Sequence, residues 1–315
     1  MSGLPHVHTA AWLAYFARLG HSDVEPLAAG MEGAIYRLGA GTVAKVWGRR
    51  GEQELVGLQK FYADVARAGL PFATPVILRV DTVDGVAVTF EQELRGEPLQ
   101  KRLSIEDRQL DRASIGCLVE VLRALANISG TDNMRQLPVL DEDQPFWADA
   151  NDFPTALIAL LDRRVARFGQ LLRAHVVDFD RLYARLRQKL AALDRVRTTA
   201  IHGDLFGQNI LVDEAVRPTA VLDFGFLATA GDPRFDAAIS AAIMNMYGPQ
   251  AEAITATLTA RLAAELAYPV EVLLIYQAAY AVATSNSFTI DGSDGHFRWC
   301  VAQLSRADVT AALNI

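Results

Sequence analysis

Two hydrophobic periodicities share this chain, and the changeover near Gly96 is what most constrains its fold. From Val24 to Trp47 short apolar runs alternate with glycine-containing turns at Gly30-Met31-Glu32-Gly33 and Gly39-Ala40-Gly41. That pattern predicts three antiparallel strands, the third being Thr42-Val43-Ala44-Lys45-Val46-Trp47. A helical stretch follows from about Glu52 to Ala68, with Leu55, Leu58, Phe61, Tyr62 and Val65 as its apolar stripe and Gly69 and Pro71 as stop signals. Asp84-Gly85, flanked by strand-like runs over 76–82 and 86–92, predicts a hairpin. Ahead of these, Trp12, Tyr15, Phe16 and Leu19 predict a short amphipathic helix over 5–20. Beyond Gly96 the period becomes helical, over 115–128, 156–173, 179–193 and from 235 to the C-terminus. One non-helical island remains, with short strands expected over 209–213 and 219–222.

The expected fold class is therefore α+β, with two lobes: a small antiparallel-sheet lobe carrying one helix (1–94) and a larger, mainly helical lobe (95–315). A cleft between such lobes is a favoured place for a ligand. The 315 residues suffice for two cores. A net charge of −7 repels nucleic-acid phosphates, so no nucleic-acid partner is expected. No apolar run reaches the roughly 18 residues of a membrane span, and no signal-peptide pattern opens the chain, so no membrane partner and a cytoplasmic location are expected. Cys117 and Cys300, the two cysteines, sit among apolar neighbours without a C-x-x-C pair, so zinc and redox-motif readings have no support.

The chemistry concentrates in the non-helical island. Ile201-His202-Gly203-Asp204-Leu205-Phe206-Gly207-Gln208-Asn209 is followed, after an apolar run, by Leu222-Asp223-Phe224-Gly225. Order, spacing and residue type match the H-x-D-x-x-x-x-N and D-F-G pattern of phosphoryl-transfer sites. There Asp204 would orient an acceptor hydroxyl and take its proton. Asn209 and Asp223 would offer a neutral and a charged oxygen to Mg²⁺, a hard cation that also takes ATP phosphate oxygens. Each residue alone is an ordinary turn or capping residue; the joint spacing is what carries the reading. Lys45, in an apolar strand, suits the α/β-phosphates, with Glu54 on the next helix as its ion-pair partner and Glu52 as runner-up. Gly30-Met31-Glu32-Gly33 occupies the place of a phosphate-covering loop, and backbone groups of Gln92 and Leu94 could bind adenine. Gly231-Asp232-Pro233 reads as a helix start, and Asp236, among apolar neighbours, needs donors that the His202–Asp204 backbone could supply.

These residues resemble the aminoglycoside phosphotransferase-like enzymes, relatives of protein kinases. The resemblance rests on His202-Gly203-Asp204 through Asn209, Val221-Leu222-Asp223-Phe224 and Gly231-Asp232-Pro233-Arg234-Phe235-Asp236, with Lys45, Glu54 and Arg95-Gly96-Glu97-Pro98-Leu99 in support. It implies a kinase-like fold and ATP- and Mg²⁺-dependent transfer of the γ-phosphate to a hydroxyl of a small molecule. It also implies Asp204 as base, Asn209 and Asp223 as metal ligands, and Asp236 with His202 as loop support. Gly203 stands where protein kinases carry an arginine, and no Ala-Pro-Glu follows the short segment after Asp223, so activation-loop control is not expected. Phe206 stands where many members carry His or Tyr, a difference expected to tune the substrate side of the loop.

Acceptors across such relatives include aminoglycosides, macrolides and amino alcohols. A polyamine would call on carboxylates among Asp141, Glu142, Asp143, Asp149, Asp152, Asp291 and Asp294, whereas Trp147, Phe153, Phe288, Phe297 and Trp299 could line a less polar pocket. The alternative of another class is a non-catalytic nucleotide-binding module acting through a partner; the intact Lys45, Asp204, Asn209 and Asp223 weigh against it.

Overall fold

The computed structural model describes residues 9–29, 33–48, 50–106, 109–148 and 150–315. In chain order its elements begin with α1 (Thr9–Arg18), β1 (Glu25–Ala29), β2 (Gly33–Gly39), β3 (Thr42–Trp47), α2 (Glu52–Ala66), β4 (Ile77–Val83) and β5 (Val86–Gln92). Next come β6 (Glu97–Pro98), β7 (Ile105–Glu106), β8 (Gln109–Leu110), α3 (Arg112–Ala126), α4 (Asp132–Arg135), α5 (Phe153–His175) and α6 (Phe179–Ala191). The short strands β9 (Thr199–Ile201), β10 (Ile210–Val212), β11 (Pro218–Val221) and β12 (Thr229–Gly231) precede α7 (Pro233–Ile243), α8 (Ala251–Leu266), α9 (Val270–Thr284), α10 (Gly295–Leu304) and α11 (Ala307–Ala312). The chain divides into two compact units: residues 1–96 with 219–222, and residues 97–218 with 223–315.

The first unit is an antiparallel five-stranded sheet in the order β1-β2-β3-β5-β4. Its turns follow from local chemistry. Ala40-Gly41 and Asp84-Gly85 all carry positive φ, from 50° to 79°, as two-residue hairpins require. Alternation sends Tyr36, Leu38, Ala44, Val46, Val88 and Phe90 to one face, where Trp12 and Phe16 of α1 close the core. The Phe16 ring is fully buried, 5.3 Å from Tyr36 and 6.2 Å from Phe90. Each such ring contributes about 1.5–3 kcal/mol of transfer free energy. The exposed edge strand β1 carries Pro26, a residue that edges tolerate. Ala73 accepts the Val221 N–H and donates to the Thr219 carbonyl, tying the 219–222 segment into this unit.

The second unit is built on α9. From Val272 to Thr284 every residue is buried, and the helix packs on α5, α6, α7, α8, α10 and α11. Helix α7 is likewise buried along its length from Arg234 to Ile243. Asp152 and Asp232 cap α5 and α7 through the Thr155 and Arg234 N–H groups, each with a proline following. Strand β9 pairs antiparallel with β12, Ile201 opposite Thr229, and β10 pairs with β6. The residue pattern thus delivers the end of β9 and the start of α7 to the same place, and the loop after β9 carries the sequence motif. Among the described residues no helix is long and apolar enough to cross a membrane.

Candidate active site

Asp236 organises the catalytic-type loop. It is 3% exposed, and its two oxygens accept the backbone N–H groups of His202 (2.7 Å) and Gly203 (2.9 Å). Burial raises its carboxyl to about 6, against those two hydrogen bonds, which pull it down. His202, fully buried, is the joint of the site. Its Nδ1 accepts the Asp204 N–H (3.2 Å), its carbonyl accepts the Gly225 N–H (2.7 Å), and its ring stacks on Phe224 at 4.7 Å. The loop and the Asp223-Phe224-Gly225 turn are therefore one hydrogen-bonded piece.

Asp204 is partly exposed at the tip of that loop. Asn209 Nδ2 donates to the Asp204 carbonyl at 2.9 Å and approaches Asp204 Oδ2 at 3.5 Å, so its amide nitrogen is the end committed to the loop. Asn209 also closes the turn through its N–H to the Phe206 carbonyl (2.9 Å), and the Gly207 carbonyl accepts the Gln100 N–H (2.8 Å). Two glycines are dictated by space. A Cβ on Gly225 would lie 2.3 Å from the Asp204 Cβ, and Gly203, at φ +77°, would place one 2.4 Å from the Leu227 carbonyl carbon. Gly203 is thus a steric requirement as well as the absence of an arginine. Asp223 is exposed and sits at φ +39°, the left-handed side of the map that a β-carbon disfavours. Phe206 is partly exposed beside Asp204.

Below the loop lies a network that the sequence did not announce. Asp232, 2% exposed, accepts Arg234 Nε at 2.9 and 2.8 Å and the Tyr276 hydroxyl at 2.6 Å, and Arg234 also reaches the Asp194 carbonyl (3.0 Å). A buried ion pair needs such additional partners to offset its desolvation. Gly231 lets the Phe153 ring approach, and Trp147 Nε1 donates to the Ala230 carbonyl (2.8 Å). Trp147 and Phe153, candidate pocket residues by sequence, are core residues here. Phe297 and Trp299 are buried too, whereas Phe288 is 40% exposed.

The remaining candidates belong to the sheet unit. Strand β3 is central, and Lys45 is 6% exposed, so it does not project from an outer edge. It shares a sheet face with Trp47 and Thr89: its Nζ lies 4.0 Å from the Trp47 ring centroid, and Trp47 Nε1 donates to Thr89 Oγ1 at 2.9 Å. Glu54 is exposed on the first turn of α2, where its Oε2 accepts the Gly51 N–H at 3.0 Å; Glu52 accepts the Thr82 hydroxyl. The Gln92 N–H is donated to the Val76 carbonyl at 3.1 Å. Gly33, at φ +149°, would bring a Cβ to 1.8 Å from the Val46 carbonyl oxygen, so it must be glycine. Residues 30–32 of the expected phosphate-covering turn, and Asp149, lie outside the described residues.

A cation fits the donor set around Asp204. Asn209 Oδ1 and the Asp223 carboxylate are hard oxygen donors of the kind Mg²⁺ takes, with phosphates completing its shell. Among the described residues no group of three His, Cys, Asp or Glu side chains could hold a metal by itself.

Solved structures share this architecture. A thermostable variant of aminoglycoside phosphotransferase APH(4)-Ia, with ADP and hygromycin B, is 17% identical and superposes at a TM-score of 0.70, covering 95% of this chain and 97% of its own. A macrolide 2'-phosphotransferase type I is 20% identical at a TM-score of 0.57, covering 95% and 97%. Aminoglycoside phosphotransferase APH(3'')-Id from Streptomyces rimosus is 18% identical at 0.53, covering 86% and 97%. A search of curated protein sequences finds no match. The likeness to these structures is one of fold, α+β with a five-stranded sheet and a mainly helical unit. Residues 23–270 match the model of the phosphotransferase enzyme family, and the chain belongs to that family.

Proposed function

We propose that this enzyme transfers the γ-phosphate of ATP, with Mg²⁺, to a hydroxyl of a small molecule, with Asp204 as the base. The observation that carries the reading is the way Asp204 is held. Asp236 fixes the backbone on its N-terminal side, Asn209 binds its carbonyl, and Gly225 packs against its Cβ. A carboxylate so fixed suits the chemistry, because phosphoryl transfer asks mainly for positioning and charge neutralisation. Asp204 accepts the hydrogen bond of the acceptor hydroxyl and takes its proton as the new O–P bond forms, while ADP leaves with the bridging oxygen.

Asn209 and Asp223 are the proposed metal ligands; the bound cation supplies neutralisation of phosphate charge. Lys45 is assigned to the α/β-phosphates. Glu54 is its proposed partner once nucleotide is bound, exchanging the Gly51 N–H for the ammonium. With the Gln92 N–H already donated to Val76, the backbone of Leu94 is the proposed adenine contact. The complexes of related folds with ADP and hygromycin B, or with GDP and kanamycin, support a nucleotide and a hydroxylated acceptor as the two substrates.

The decisive test is Asp204→Asn. Nucleotide binding by calorimetry is expected to persist while turnover falls by roughly two to four orders of magnitude, the range for a positioned base. Near-wild-type turnover in that variant would remove Asp204 from the role.

A further inference from the structure

Gly225 packs on Asp204 and donates its N–H to the His202 carbonyl, but the peptide that follows it is held from elsewhere. The Phe226 carbonyl accepts the Leu140 N–H at 2.7 Å. Two more bonds run along the same stretch: Thr229 Oγ1 donates to the Met134 carbonyl (3.3 Å), and Trp147 Nε1 to the Ala230 carbonyl (2.8 Å). Residues 134–147 therefore brace residues 226–230, the stretch that leads from the Asp223-Phe224-Gly225 turn into β12. The brace is closed on itself by the Phe146 N–H on the Leu137 carbonyl (3.1 Å) and the Glu142 N–H on the Val139 carbonyl (3.2 Å). All of it lies within the helical unit.

The tip of the brace is strained. Leu140 sits at φ +56°, the left-handed region that a side chain disfavours, so an outside anchor must keep that geometry. The anchor is α5. Asp141, next to Leu140, pairs with Arg164 and with Arg167 Nη1 (2.7 Å), and Glu142 pairs with Arg163. Arg164 stands apart from the other two arginines. It is 2% exposed, its Nε donates to the Ala283 carbonyl of α9 (3.0 Å), and its guanidinium carbon lies 4.6 Å from the Phe168 ring centroid.

Stability is a poor reason for this arrangement. The buried charge of Arg164 faces a carboxylate whose side chain is 51% exposed, and among the described residues its Nη2 is buried without a hydrogen-bond partner. An apolar side chain of similar volume would avoid that cost. What the arginine adds is direction, because it fixes a solvent-facing carboxylate, and the residue beside it, against α5 and α9.

We propose that Arg164 is a positioning residue for the base: through Asp141 it holds the Leu140 N–H on the Phe226 carbonyl, which keeps Gly225 packed on Asp204. The proposal rests on the phosphotransfer reading above and adds to it a residue that acts only through others.

The test compares Arg164→Met, Asp141→Asn and the double variant in the full chain, with kanamycin, hygromycin B and a macrolide as acceptors. Arg164→Met is expected to keep or raise the melting temperature, since it removes a buried charge. Its kcat for ADP release from Mg²⁺-ATP is expected to fall by about ten- to a hundredfold, the scale of a slightly misplaced catalytic group, with KM for ATP unchanged. Asp141→Asn leaves the buried arginine unpaired and is expected to lower both melting temperature and kcat, the latter measured well below its melting point. In the double variant the melting temperature is expected to recover and kcat is not. Hydrogen exchange reads the link itself: the Leu140 amide and those of residues 224–230 are expected to exchange faster in Arg164→Met.

A kcat within about twofold of wild type in either single variant, or one that recovers with melting temperature in the double variant, would overturn the inference and leave phosphotransfer standing. If the wild-type chain binds nucleotide but turns over none of the three acceptors, exchange decides, and unchanged exchange in Arg164→Met overturns the inference. Absence of nucleotide binding by the wild-type chain would overturn the phosphotransfer reading and this inference with it.

Discussion

His202 and Asp236 show how much of this site is made by backbone. Among the described residues the Asp236 carboxylate meets no cation; it is held by two N–H groups, and burial raises it to about 6. Because the folded pKa lies above the usual carboxylate value, the folded protein binds the extra proton. The stability linked to this group is therefore present below about pH 4 and is lost as pH rises through 6, a change of roughly 3 kcal/mol. Asp236→Asn removes that dependence and one acceptor, since the amide nitrogen cannot receive a second N–H. The melting-temperature advantage of wild type over Asp236→Asn should thus be larger at pH 4.5 than at pH 7, and turnover of the variant should fall as the His202–Gly203 backbone loosens. Gly225→Ala is expected to cost more activity than stability, because the new Cβ at 2.3 Å displaces Asp204 itself; circular dichroism beside kcat separates the two. The spacing of Asp204, Asn209 and Asp223 is local and so visible in the sequence, and Asp236 stands out there as a carboxylate among apolar neighbours. Of the His202 contacts, the backbone one with Asp236 was anticipated; those with Asp204, Phe224 and Gly225 were not, because spacing does not show how a buried ring turns.

At the scale of elements, the sheet unit was legible nearly to the residue. Its hairpins are fixed by Asp84-Gly85 and Ala40-Gly41, and α2 carries a clear apolar stripe. Helices α7 and α9 were legible as helices but not as the centre of the helical unit, since a helix buried on all sides has no stripe to reveal its partners. Among the contacts that join them are the Tyr276 hydroxyl on the Asp232 cap and Gln277 Nε2 on the Ala238 carbonyl. Tyr276→Phe is expected to destabilise by about 1.5–3 kcal/mol, the range for a hydrogen bond to a charged group, with kcat less affected than melting temperature. Denaturant unfolding of that variant should show a lower midpoint at unchanged slope. The short strands β6 to β8 and helix α4 escaped the sequence reading because two to four residues are too few to show a period.

The whole molecule distributes its proposed chemistry unequally. Asp204, Asn209, Asp223 and Asp236 belong to the helical unit, whereas Lys45 and Glu54 belong to the sheet unit. If Lys45 serves the nucleotide, Mg²⁺-ATP at about a hundred times its Kd should stabilise the wild-type chain by about 2.7 kcal/mol, read as a thermal shift. Lys45→Ala should abolish most of that shift at the same ATP concentration without unfolding the protein. Asp223, finally, holds a backbone conformation that glycine adopts at no cost. Asp223→Gly is expected to raise the melting point slightly while eliminating turnover. A library of this gene sorted only for heat resistance would accumulate glycine there, and one sorted for product would keep the aspartate, so the two selections would diverge at a single codon.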